Sequence, residues 1–416
     1  MSGYIKRWAA TVLADVLSFQ RTAVVVGARQ CGKTSMVRHE MPVPAEYLTL
    51  DDSDYLQLAK TDPVFFLNRV AAGCLVIDEI QKAPELISRI KMKVDADNRP
   101  AQYVMTGSAD YRRLPQATDS LAGRTAFIRL RGMTEAEMRG KPPVFLKKMF
   151  ERTLPSLGQL DRCSKKEVFD LAIKGGYPLV RQLSPQARWR YFESYIESQI
   201  QHDLSQNWNM VRLGALRELL RYTAIYSSKL LNITEISSRI EASRQTVASY
   251  LKALEAMYLI DSLPAWLHSD YDVGGKVPKL FMNDTGMMAY FHNIHSSDNL
   301  LSNLEAMADI GGKLVETWVY NQIAAEVSLR AGWRISHFRN GNRQEIDFMI
   351  QDDQGRLLGI EVKSSESLNS DDAKHLKWFA DRSKHPFTGI VLYAGNTVTS
   401  FGKGCYAVPY SALWAD

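Results

Sequence analysis

Hydrophobic positions change period several times along the chain, and each change marks an element. Val24-Val25-Val26 is a β-branched run closing on Gly27, suited to a strand covered on both faces. Cys74-Leu75-Val76-Ile77 closes on Asp78-Glu79, and Gln102–Thr106 closes on Gly107-Ser108, in the same manner. Tyr47–Leu50 and Ala126–Leu130 are weaker strands of the same set. Separated by helical stretches, and preceded by an amphipathic helix over Tyr4–Phe19, they predict an α/β domain with a parallel sheet over residues 1–150. Residues 151–210 are mainly helical in period, interrupted by Lys174-Gly175-Gly176-Tyr177-Pro178-Leu179.

From Leu213, helical spacing of Leu216, Leu219, Leu220 and Thr223 leads to a second helix from Thr234 to Ile240 and a turn through Glu241-Ala242-Ser243. A third helix carries Val247, Tyr250, Leu251, Leu254 and Met257 on one face, with Arg244, Gln245, Ser249 and Lys252 on the other. That order predicts a winged helix over 211–275, whose polar face suits phosphates and base edges or serves as an inter-domain arm. In residues 276–416 a helix from Gly312 precedes an alternating strand with Ile346, Phe348 and Ile350 on one face and Asp347 on the other. Leu358–Ser364, a helix over Asp371–Arg382 and a strand over Gly389–Tyr393 complete an α-β-β-β-α-β order. Asp284 reads as the cap of a helix over Thr285–Phe291.

The chemistry concentrates where strands end. Gly27-Ala28-Arg29-Gln30-Cys31-Gly32-Lys33-Thr34 is Gly-x-x-x-x-Gly-Lys-Thr between a strand and a helix. Its glycines let backbone N–H groups curl around an anion, Lys33 reaches the β- and γ-phosphates, and Thr34 holds Mg²⁺ through its hydroxyl. Gly27 to Ser35 therefore form the expected nucleotide-binding set, with ATP and Mg²⁺ as cofactors. Asp78 is expected to hold Mg²⁺ directly or through water, and Glu79 to act as general base. Thr106 or Ser108 can sense the γ-phosphate or position water. Arg124 is a candidate for completing a neighbouring subunit's site, or a plain surface arginine.

A second set lies near the end. Glu361 and Lys363 share one side of their strand, following Asp347 on the strand before. Asp347 and Glu361 can bind one or two Mg²⁺, Lys363 can orient water or steady phosphate charge, and Glu316 can complete the metal shell; this is what phosphodiester cleavage needs. A salt-bridged strand pair is the alternative.

Composition is that of an ordinary globular chain of 416 residues, long enough for two to four domains. A formal charge of +5 is compatible with a nucleic-acid partner without requiring one. Cys31, Cys74, Cys163 and Cys405 are scattered, which points to reduced thiols in the cytoplasm. No signal-peptide anatomy or membrane-spanning run is present.

The stretches GARQCGKT, YLTLDD, LVIDEIQKAPEL, YVMTGSA and SLAGRT, in that order, resemble AAA+ ATPases of the archaeal-ATPase type along the whole chain. That resemblance implies a helical lid over 151–210 and assembly into a ring, often a hexamer. Gly175 to Pro178 are similar to a Gly-x-Pro nucleotide switch, which would set Pro178 against the nucleotide. Glu316, Asp347, Glu361 and Lys363 resemble the site of PD-(D/E)xK restriction-endonuclease-like nucleases, most closely the branched-DNA resolvase type. Together they imply an ATP-hydrolysing DNA-binding protein with a metal-dependent nuclease module, acting on branched (Holliday-junction-like) or broken DNA. The competing expectation is a nucleotide-switched regulatory ATPase whose nuclease-like domain only binds nucleic acid or a protein.

Overall fold

The computed structural model describes residues 3–69, 73–108, 123–154, 160–200, 213–267, 277–303, 305, 307–340 and 344–415. Two units result: one comprises Met1–Met133 with Ala256–Tyr258, the other Thr134–Glu255 with Leu259–Asp416. Ser120, Leu121, Ala122, Arg343 and the side chain of Leu216 lie outside the described residues.

In the first unit, β1 (Thr22–Val26), β2 (Ala45–Thr49), β3 (Cys74–Asp78), β4 (Tyr103–Gly107) and β5 (Thr125–Arg129) form a parallel sheet in the order β2-β3-β4-β1-β5. Every residue of β1, β3 and β4 is buried, as their uninterrupted apolar runs require when helices cover both faces. The edge strands β2 and β5 are only partly covered. Since β4 intervenes, the acidic end of β3 lies one strand away from the loop that follows β1. The helix Ala9–Phe19 buries Ala9, Ala10, Leu13, Val16 and Leu17, a helical stripe. It begins five residues later than its periodicity suggests. Tyr4 instead stacks on His39, ring centroids 4.4 Å apart, and the Arg7 N–H donates to Glu40 at 2.8 Å, which holds the lead-in segment off the helix axis.

The second unit contains the helices Glu135–Met138 and Phe145–Glu151, which the sequence assigns to the first domain. Buried polar contacts explain the difference. Glu135 pairs with Arg181 at 2.6 Å, its N–H donates to Gln322 at 2.7 Å, and the Leu146 N–H donates to Glu326 at 3.1 Å. Gln322 and Glu326 lie on the helix Gly312–Val327, which is buried nearly all round rather than along one stripe. The helices Leu213–Ile225, Ile233–Arg239 and Arg244–Ala256 follow in the expected order, burying Leu219, Leu220, Val247, Leu251 and Leu254 and exposing Arg244, Gln245, Ser249 and Lys252. After them β6 (Ile260–Leu263) pairs antiparallel with β7 (Lys279–Met282).

The last part is a six-stranded sheet, order β12-β13-β11-β10-β9-β8. Its strands are β8 (Arg334–Arg339), β9 (Glu345–Gln351), β10 (Leu357–Lys363), β11 (Phe387–Tyr393), β12 (Thr399–Gly402) and β13 (Cys405–Pro409). The expected α-β-β-β-α-β order is present, with β12 and β13 added beyond it. One expectation fails. Ile346 does not share a face with Phe348, because the β8–β9 register shifts between Ser336 and Phe338. Ile346 joins Met349, Leu376 and Phe379 in one cluster, whereas Phe348 packs its ring toward Phe281 and Tyr320. Such a bulge reverses the alternation and re-aims the side chains beside it, here Glu345 and Asp347.

Candidate functional site

The loop after β1 is shaped by its glycines. A Cβ on Gly27 would stand 2.3 Å from the Leu130 carbonyl oxygen and 3.0 Å from Cys31 Sγ, so only glycine fits without backbone movement. Gly32 has φ +101° and leads into the helix Lys33–His39, a conformation glycine adopts without a Cβ penalty. Lys33 is buried and donates to the carbonyls of Gly27 and Ala28 at 3.0 and 2.9 Å, lying along the loop. Ala28 and Cys31 are buried, Arg29 and Gly32 half-buried, Gln30 and Ser35 exposed.

Asp78, at the end of β3, is 3% exposed and receives three hydroxyl groups. Thr34 donates to its Oδ2 at 2.8 Å, Tyr47 donates to the same oxygen, and Thr106 donates to Oδ1. Burial and then the Asp78 carboxylate push the Tyr47 phenol up to about 12, and the Arg38 guanidinium lies 4.0 Å from its ring centroid. The Thr34 and Asp78 oxygens, 2.8 Å apart, suit a hard cation that keeps water and phosphate as its remaining ligands.

Glu79 adopts φ +58°, an uncommon conformation for a side-chain-bearing residue. Its N–H donates to Thr106 Oγ1 at 3.3 Å, and its carboxylate accepts from Gln81 Nε2, which also donates to Ser108 Oγ at 3.1 Å. Thr106 thus touches both residues, donating to the Asp78 carboxylate and accepting the Glu79 N–H, whereas Ser108 is joined to Glu79 only through Gln81. Tyr47 and Gln81 were not legible as site residues, although the glutamine does follow Asp-Glu closely in the chain. Arg124 lies just before β5, at the end of the sheet opposite the phosphate loop, and pairs with Asp95. Pro178 belongs to the second unit, in a turn beside Tyr177, whose ring packs against Phe192 and Tyr195.

The second expected set does come together, around an unexpected cation. Lys279 at the start of β7 is 2% exposed. Its Nζ lies 3.1 Å from Glu316, 2.9 Å from Glu345 and 3.3 Å from Asp347. The other Asp347 oxygen accepts the Val362 N–H at 3.0 Å. Glu361 is 7% exposed, 3.9 Å from Lys363 Nζ and 4.0 Å from His375, and its Oε1 accepts no hydrogen bond from the described residues. Burial, then the charge of Asp347, raises the Glu316 carboxyl to about 8, and the same two causes raise Glu361 well above the ordinary range. Burial opposes the charge on Lys279, but Glu316, Asp347 and Glu345 together outweigh it and hold its pKa above the usual lysine value.

This cluster does not fit the divalent cation expected at Asp347 and Glu361. An ammonium sits among the acids, and no three His, Cys, Asp or Glu side chains among the described residues have the spacing to hold a metal ion.

Residues 20–139 match the family model described as an AAA domain. With the parallel sheet and the glycine loop, that match makes the first unit an AAA-type P-loop fold. Residues 165–298 and 311–413 match two domains of unknown function, DUF8612 and DUF4143. The uncharacterized proteins Rv2008c of Mycobacterium tuberculosis and Mb2031c of Mycobacterium bovis are each 26% identical over 366 residues, 87% of this chain and 74% of theirs. Among solved structures, the RuvB Holliday junction branch migration motor of Thermotoga maritima is 14% identical over 62% of this chain and 89% of its own, with a TM-score of 0.28. The S. cerevisiae Hsp104–ADP complex is 14% identical over 80% of this chain and 46% of its own, with a TM-score of 0.30. These last two similarities are too distant to bear on function. No described helix is long and apolar enough to cross a membrane.

Proposed function

We propose that the chain is an ATP-hydrolysing AAA-type enzyme that engages DNA through residues 211–275, a winged helix, and 276–416, a restriction-endonuclease-like domain, with 151–210 as the lid. The observation that carries the ATPase reading is the meeting of Thr34, Thr106 and Tyr47 on Asp78 beside the buried Lys33. Lys33 binds the β- and γ-phosphates, Thr34 and Asp78 hold Mg²⁺, and Glu79 takes the proton of the attacking water. Bound there, Mg²⁺ neutralises charge on the transferred phosphoryl group. Arg124, at the end of the sheet away from its own loop and paired with Asp95, is the residue we assign to a neighbouring copy's nucleotide in a ring.

The test compares ATP binding and turnover in wild type, Lys33→Ala and Glu79→Gln. Lys33→Ala loses binding, whereas Glu79→Gln keeps binding and turns over about 10²–10⁴-fold more slowly. Wild-type turnover by Glu79→Gln refutes the assignment of the base. The exposed Arg244, Gln245, Ser249 and Lys252 support DNA as partner. Linear and four-way-junction DNA should bind and alter the ATPase rate, and an Arg244→Ala/Lys252→Ala variant should bind more weakly. Absence of binding and of stimulation ends the DNA reading.

The lysine inside the carboxylate cluster favours a second reading, in which ATP turnover switches a domain that binds nucleic acid or a protein without cutting. Metal-dependent nicking by wild type that is lost in Asp347→Ala selects the nuclease; no nicking by either selects the switch.

A further inference from the structure

The segment ahead of the helix Ala9–Phe19 is bonded to both ends of the element that follows the phosphate loop, the helix Lys33–His39. At the far end Tyr4 stacks on His39, and Glu40 accepts the Tyr4 hydroxyl at 2.6 Å and the Arg7 N–H at 2.8 Å. At the near end Arg7, 4% exposed, reaches the loop itself. One nitrogen of its guanidinium donates to the Cys31 carbonyl at 2.8 Å, and the other to the Arg131 carbonyl at 2.7 Å. A planar fork suits two carbonyls from separate segments. The Arg131 end is firmly seated, because the Leu130 N–H before it donates to the Val26 carbonyl at 2.7 Å.

Cys31 and Gly32 share a trans peptide, whose C=O and N–H point in opposite directions. Holding the Cys31 carbonyl therefore also aims the Gly32 N–H away from Arg7. The loop does little to fix that peptide by itself. Gly32, at φ +101°, has wide conformational freedom, and the Cys31 N–H reaches the Ala28 carbonyl only at 3.4 Å, a long hydrogen bond. We infer, building on the ATPase reading, that Arg7 is a positioning residue for nucleotide binding: it ties the Cys31–Gly32 peptide to the residues just after β5, so that the Gly32 N–H faces the nucleotide's phosphates. A loop donor to the α- and β-phosphates is engaged before the γ-phosphoryl group leaves. Its loss raises KM far more than it lowers kcat.

The experiment measures ATP and ADP binding by calorimetry, ATP turnover, and nucleotide-free melting in wild type, Arg7→Met, Glu40→Ala and Lys33→Ala. Arg7→Met weakens both nucleotides roughly tenfold and raises KM for ATP by the same factor, with kcat within about threefold of wild type. Glu40→Ala, which frees the other end of the segment, moves KM the same way by about threefold, and it carries the test should Arg7→Met not fold. A lower melting temperature with wild-type KM, or a fall in kcat with KM unchanged, overturns the inference. If Lys33→Ala loses ATP while Arg7→Met and Glu40→Ala bind it as wild type does, the ATPase reading stands and the inference alone fails. A wild type that binds no nucleotide removes both.

Discussion

Deleting one oxygen atom tests the geometry around Asp78. Tyr47→Phe keeps the ring that faces Arg38 and removes only the hydroxyl donated to Asp78 Oδ2. A hydrogen bond to a charged group contributes about 1.5–3 kcal/mol when its loss leaves the acceptor buried. Asp78 is 3% exposed, so water replaces the lost donor poorly. Thr34 remains on the same oxygen at 2.8 Å, which cushions the first deletion. We therefore expect about 1–2 kcal/mol of destabilisation for Tyr47→Phe and a similar cost for Thr34→Val. The double variant should exceed the sum by about 1 kcal/mol, because the oxygen then loses both donors. Urea unfolding of the nucleotide-free chain, followed through the first transition, measures all three. Strict additivity, or a Tyr47→Phe cost below about 0.5 kcal/mol, would mean that the three hydroxyl groups do not converge on this carboxylate in solution.

Two further outcomes concern the second unit. Arg181 and Glu135 form an ion pair whose side chains are 7% and 1% exposed, and Arg139 stays on the other Glu135 oxygen at 2.7 Å, so Arg181→Met should cost about 2 kcal/mol, with partial recovery in Arg181→Met/Glu135→Gln; urea midpoints that barely move would contradict it. Burial raises Glu326 from 4.5 to about 7, the Leu146 N–H and Arg330 offsetting only part of the effect. The folded state then holds a proton that the unfolded chain has released, so stability present below about pH 4.5 is lost as pH rises through about 7, by roughly 3 kcal/mol. Glu316, raised to about 8, extends the decline in the same direction. Glu326→Gln should flatten the profile between pH 5 and 7, and an unchanged slope would exclude this carboxyl as a contributor.

What could be read without coordinates was local. The glycine loop, Lys33 and Thr34 are neighbours in the chain, and an apolar run ending in Asp78-Glu79 carries its own geometry, because strand period and burial follow from residue type. The cap at Asp284 belongs to the same class: its side chain accepts from the Met287 N–H three residues ahead. Contacts across strands were not available in that way. Tyr47 reaches Asp78 only because β2 and β3 pair in parallel, with Thr49 opposite Asp78. Gln81 joins Glu79 to Ser108 only because β4 lies beside β3.

Near the end of the chain, alternation put Glu361 and Lys363 on one side of their strand, and the resemblance to PD-(D/E)xK nucleases joined Glu316 and Asp347 to them as one candidate group. It failed at Ile346, since a bulge is set by pairing with β8 and leaves no mark in the period of β9 itself. Nor could it supply Lys279, which is 68 residues from Asp347 in sequence. Residue order determined which groups are capable of chemistry. Tertiary packing decided their charge environment, because the field at a buried carboxylate depends on whichever cation folding brings within a few ångströms, however distant it is along the chain.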